Sequence, residues 1–288
     1  MDLITLNLKL AFREPGCPVC RLRQQQEQRY LFNLLYENVN DGTTRLRLVR
    51  GLGLCPDHAW RLQATEPQHW SDGLGTGIIY EDLTGRLLGS LSAYLAQDRS
   101  PQEGLARLME RLREWLKPRG RMGRWLAQYL PAPAPATSLL ARLSPTASCR
   151  ACEMIGDREE TYLIWLARQS GDPEFRGWYS ASDGLCLPHL RRALTYAEDE
   201  ETVRFLAQVA ADKLKPLLAD LGEYLRKHSW HNRDEPKYPW EQASWIRSVA
   251  FFAGEAREEE GGNTYQVRRQ ALGDYRRRPD RVPGEEER

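Results

Sequence analysis

Six cysteines and two of five histidines fall into one pattern that occurs twice, and no other feature restricts this chain as tightly. The first half holds Cys17-Pro18-Val19-Cys20 and, after 34 intervening residues, Cys55-Pro56-Asp57-His58. The second half holds Cys149-Arg150-Ala151-Cys152 and, after 33 intervening residues, Cys186-Leu187-Pro188-His189. No cysteine is left over. Two sulfurs three residues apart converge on one point, and a distant Cys-x-x-His pair supplies the two further ligands that close a tetrahedron around a metal such as zinc.

The repetition extends beyond the ligands. Tyr30 and Tyr162 each lie ten residues after the second cysteine of their pair and open apolar runs, YLFNLL and YLIWLA. Asp41 and Asp172 follow at matching places, and Gly53-Leu54-Cys55 matches Gly184-Leu185-Cys186. Further on, Leu87, Leu88, Leu91, Tyr94 and Leu95 mirror Leu217, Leu218, Leu221, Tyr224 and Leu225. Self-similarity of this kind marks a duplicated structural unit, here of about eighty residues.

Each unit reads as about four helices, which makes the fold class all-α. Leu22, Tyr30, Leu31, Leu34 and Leu35 suit one face of a first helix whose centre, RQQQEQR, is polar. Asp41 and Asp172 suit the N-caps of a short second helix, with Pro173 at its first position in the second copy. A third helix begins at the Cys-x-x-His pair. The fourth is expected over roughly 78–97 and 200–228, where Leu83, Leu87, Leu91 and Tyr94, and then Val203, Leu206, Ala210, Leu214, Leu217 and Leu221, recur at spacings of three and four. Pro216 is expected to kink or split the latter. Pro18, Pro56 and Pro188 place the ligand pairs at helix N-termini, where the helix dipole favours thiolate over thiol.

These features divide the chain into a first repeat at 1–98, a helix with a basic loop and Pro/Ala linker at 99–144, and a second repeat at 145–228. A Trp-rich segment at 229–254 is expected to pack on the core, and a charged tail at 255–288 to be disordered. The middle piece opens with a capping box, Ser100-Pro101-Gln102-Glu103, before apolar residues from Leu105 to Trp115 at helical spacing. Near-equal internal spacing favours closure of each metal site within its own copy: Cys17, Cys20, Cys55 and His58 in one, Cys149, Cys152, Cys186 and His189 in the other. Exchange of pairs between copies is the alternative.

Zinc is the favoured metal, two ions per chain, and four protein ligands at each site favour a structural role over a catalytic one. An iron–sulfur cluster is the competing cofactor, although the spacings match neither ferredoxin nor Rieske runs. Thioredoxin-type chemistry would need a strand–helix context that neither copy supplies. Gly73-Leu74-Gly75-Thr76-Gly77 precedes a helix as phosphate loops do, but lacks a preceding strand. Lys117, Arg119, Arg121, Arg124 and Trp125 form a basic and aromatic cluster that could meet nucleic acid; the balance of 41 Lys plus Arg against 40 Asp plus Glu favours a solvated helix end. His228 and His231 read as surface residues rather than a third ligand pair. Trp240, Trp245, Phe251 and Phe252 read as packing residues before a partner surface.

The start lacks the features of a signal peptide, and no run approaches a membrane span, so the chain reads as cytoplasmic with reduced cysteines. No recognisable hydrolase, metalloprotease or P-loop motif occurs, which leans the reading away from an enzyme and toward an interaction or scaffold protein with a protein partner.

The segments GCPVCRL, YLFNLLYENVND, GLGLCPDH, CRACE, DGLCLPHL and SWIRSVAFFAG together resemble a prokaryotic domain-of-unknown-function family with paired Cys-x-x-Cys and Gly-x-Cys-x-x-His motifs. The resemblance spans roughly residues 10–254. It supports the ligand assignment and implies no activity.

Overall fold

Asp2 opens the first helix by accepting a hydrogen bond from the Thr5 amide, and a series of further helices follows among the described residues. The computed structural model describes residues 2–70, 72–96, 111 and 137–255. Among these residues there are eleven helices and no strand, in accord with the all-α expectation. In chain order they are α1 (Leu3–Arg13), α2 (Pro18–Tyr36), α3 (Gly42–Gly51), α4 (Pro56–His69), α5 (Leu74–Ala96), α6 (Thr137–Arg142), α7 (Arg150–Gln169), α8 (Pro173–Ala181), α9 (Leu187–Thr195), α10 (Glu200–Arg226) and α11 (Pro239–Ala253). The capping box at 100–103, the helix expected from Leu105 to Trp115 (Arg111 apart), the basic cluster at 117–125, the PAPAPA stretch and the tail beyond Glu255 lie outside the described residues.

The duplicated elements form where the local sequence requires them. Asp41 accepts from the Thr44 amide at 2.7 Å and Asp172 from the Glu174 amide at 3.2 Å, capping α3 and α8. Cys55 and Cys186 are themselves the N-cap residues of α4 and α9, each followed by proline in the first turn. The glycines of the two Gly-Leu-Cys triplets, Gly53 and Gly184, have φ of 99° and 76°, a backbone conformation that turns the chain into the ligand helix and that a Cβ disfavours. Two helices depart from expectation. α1 was not anticipated; its buried residues Thr5, Leu8, Ala11 and Phe12 recur at helical spacing. α10 continues as one helix through Pro216, so it is not split there, and it packs against α11 and α9.

The chain separates into two compact units that do not follow the repeats: Met1–Phe32 with Ala151–Arg288, and Asn33–Arg150. In the first, Leu8, Phe12, Val19, Leu163, Leu166, Phe175, Tyr179, Leu185 and Leu206 form one core, with Cys17, Cys20 and Cys186 among its members. Phe12 meets Phe175 and Tyr179 edge-on, at 5.5 and 5.7 Å between ring centres. α11 lies against α10 and α9. Two buried ion pairs lock that hairpin: Lys227 Nζ to Glu241 Oε1 at 2.7 Å and Arg247 Nη1 to Asp220 Oδ2 at 3.0 Å. The expected packing of the Trp-rich segment is therefore partial. Trp240 and Phe251 are half-buried, whereas Trp245 and Phe252 are exposed.

In the second unit α5 contacts α3, α4 and α6. Buried Leu48, Leu62 and Ile79 come from α3, α4 and α5. Thr146 N–H donates to the Arg50 carbonyl at 2.7 Å, tying the segment before Cys149 to the end of α3. The glycine run at 73–77 contains the start of α5, and its anion-binding capacity is already used. The buried Glu66 carboxylate accepts from the amides of Gly75 and Thr76, the latter at 2.9 Å.

Candidate metal centre

α2 carries Cys17 just before its first residue and Cys20 in its first turn; α9 carries Cys186 as its cap and His189 one turn on. Each pair is fixed locally by a helix start. Core packing then brings the two starts together within the first compact unit, so that the ligand atoms of Cys17, Cys20, Cys186 and His189 all lie within 4.8 Å of one another. Cys20 Sγ and Cys186 Sγ are 3.7 Å apart, and His189 Nδ1 is 3.4 Å from Cys17 Sγ, 3.4 Å from Cys20 Sγ and 3.1 Å from Cys186 Sγ. A tetrahedral ion with bonds of about 2.3 Å to sulfur and about 2.0–2.1 Å to nitrogen requires S···S edges of about 3.8 Å and S···N edges of about 3.6 Å. The donor set fits such an ion. The sulfurs are far beyond the disulfide length of about 2.05 Å, and all six cysteines are free.

The four residues are buried, with exposures of 3–6%. Burial opposes charge on Cys17, yet hydrogen bonds with Cys186, Cys20 and His189 hold its thiol well below the usual range. Hydrogen bonds with Cys17 and Cys186, together with burial and the charge on Cys17, push the Cys20 thiol upward, so the thiols oppose one another's ionisation. A divalent ion would remove that conflict.

His189 faces the sulfurs with Nδ1 and directs Nε2 to Glu159 Oε1 at 3.2 Å. A metal on Nδ1 leaves the proton on Nε2, which donates to the carboxylate. Histidine ligands are commonly oriented by such a carboxylate. Glu159, on α7, is buried and also meets Arg192 and, at 3.4 Å, Arg23 Nε. Burial works against its charge, but the contact with His189 and the charges of Arg192 and Arg23 hold its carboxyl below the usual value. The sequence reading missed Glu159. The signal was present, since it stands seven residues after Cys152, and Glu27 stands seven residues after Cys20.

Three of the other predicted ligands also converge. In the second compact unit, His58 Nδ1 lies 3.1 Å from Cys55 Sγ and 3.8 Å from Cys149 Sγ. Cys152 stands one turn after Cys149 on α7. Closure within each copy is overturned. Cys17 and Cys20 meet Cys186 and His189, while Cys149 stands with Cys55 and His58. The physical reason is that a Cys-x-x-Cys pair and its downstream Cys-x-x-His pair sit at the starts of different helices, and packing rather than chain spacing decides which starts adjoin. His228 and His231 are exposed and belong to neither group.

Residues 1–259 match the model of a family described as "Family of unknown function (DUF6062)". The chain belongs to that family. It is also 39% identical over 72 residues to an uncharacterized 23.9 kDa protein in the xynA 3' region of Caldicellulosiruptor sp. (strain Rt8B.4). That match covers 25% of this chain and 32% of the relative, so the chain spans about a third of the relative's length. No solved structure matches. Membership in DUF6062 brings no activity, and the chemistry has to be read from the two clusters.

Proposed function

We propose that the chain binds two zinc ions, each held by three cysteines and one histidine, and that the ions serve as structural cross-links in an interaction or scaffold protein. The observation that carries this reading is the convergence of Cys17, Cys20, Cys186 and His189 at near-tetrahedral spacing, with Cys55, His58 and Cys149 gathered likewise. Mixed thiolate and imidazole ligands in a tetrahedron favour zinc among the common divalent metals. Ligand atoms crowded to 3.1–3.8 Å suit one ion between them rather than an iron–sulfur cluster, whose ligands are spread over two or more irons. Four protein ligands fill the coordination sphere, which supports a structural role.

With exchanged pairs, each ion joins the Cys-x-x-Cys of one repeat to the Cys-x-x-His of the other. Trp245, Val249 and Phe252 point outward along one face of α11, which supports a protein partner. Among the described residues no helix is long and apolar enough to cross a membrane. Elemental analysis and an absorption spectrum of natively purified protein test the metal assignment. Two zinc ions per chain and no visible band are expected; iron with visible absorption, or protein without metal, would overturn it.

A further inference from the structure

The end of α11 reaches the first metal cluster although it contributes no ligand. The Glu255 amide donates to Cys20 Sγ at 3.5 Å. Gly254 caps α11 with φ 86° and ψ 170°, a region of backbone space that is essentially restricted to glycine. A Cβ on Gly254 would stand 3.5 Å from Cys20 Sγ and 3.9 Å from Cys186 Sγ, so the backbone here lies directly over two of the sulfurs. α11 also rests on α9, the helix that carries His189. Glu255 falls within the segment expected to begin the disordered tail, yet its backbone and side chain are placed against Cys20 and Gly16.

An amide aimed at a metal-bound thiolate stabilises its charge and helps fix the sulfur in place. Such a contact is worth most when the sulfur is anionic, which a bound cation enforces. The far end of α11 has its own, metal-independent anchor in the Lys227–Glu241 pair. Resting on the metal reading above, we infer that Gly254 and the Glu255 amide form a latch: they position and shield Cys20 and Cys186, and metal in this cluster holds the end of α11 in place.

The test uses full-length protein carrying Cys55→Ser and Cys149→Ser, so that zinc is bound by the first cluster alone. In that background Gly254→Ala should speed zinc release to a chelator about 10- to 100-fold, the effect typical of losing an outer-sphere contact. Separately, hydrogen exchange of unsubstituted protein is followed with and without chelator. Amides of residues 250–255 should exchange at least about tenfold faster once metal is removed, while the base of α11 near Glu241 and all of α8 change little. Release at the unsubstituted rate, unchanged exchange at 250–255, or a rise spread evenly over α8 and both ends of α11 would each overturn the latch. Absence of zinc from the starting protein would instead overturn the metal reading itself.

Discussion

Exchange of ligand pairs between repeats makes a prediction that paired substitutions can read directly. Cys17→Ser and Cys186→Ser act on one cluster, because both sulfurs lie within 3.1–3.4 Å of His189 Nδ1. Cys55→Ser acts on the other, where Cys55 Sγ is 3.1 Å from His58 Nδ1. Each single change leaves three ligands where zinc requires four. Structural zinc closure is worth about 10–16 kcal/mol in small peptides, so even a modest fraction of that loss empties a site under chelator competition. The double variant Cys17→Ser/Cys186→Ser should therefore lose no more metal than either single change and retain about one ion per chain. Cys17→Ser/Cys55→Ser should retain none. Native mass spectrometry or elemental analysis after brief chelator treatment gives the count. Closure within each copy predicts the reverse for these two doubles, and that reversed outcome would refute the exchange.

Glu159→Gln keeps an oxygen for His189 Nε2 but removes the charge; zinc affinity of the first cluster should fall about 10- to 100-fold in competition titrations, with the second cluster unaffected. Lys227→Met leaves the buried Glu241 carboxylate without its ammonium partner and should cost about 3–5 kcal/mol in denaturant unfolding. Adding Glu241→Leu should recover much of that loss, and a double variant no better than the single would sink this account of the hairpin. Leu206→Ala, at a fully buried core position, should cost about 2–5 kcal/mol; a change below 1 kcal/mol, or roughly the size of a surface substitution, would contradict the described core.

Much of the local structure was legible because it depends on neighbours in sequence. Asp41 and Asp172 cap helices through amides two or three residues away. Cys55 and Cys186 mark helix starts because proline follows each within two positions. α1 was harder to read, since Leu3, Leu6 and Leu10 are exposed while Thr5, Leu8, Ala11 and Phe12 are buried, so apolar residues lie on both faces. Glu159 was obscured by the abundance of carboxylates: its register with Glu27 was the sequence sign, and its contact with His189 gives it a role.

The sequence by itself singled out these cysteine and histidine pairs, because pairing, duplication and the lack of any spare cysteine point to one metal-ligand pattern. It also determined that helix N-termini carry them. Which pairs meet was decided only by tertiary structure. Spacings of 34 and 33 residues measure chain length between ligand pairs and are nearly equal in both copies, so they cannot report direction. The direction is set by burial of Phe12, Val19, Leu163, Phe175 and Leu206 in one core, which places the start of α2 beside the start of α9. The same burial brings Gly254 across the finished cluster, a contact between residues more than two hundred positions apart that no local pattern encodes.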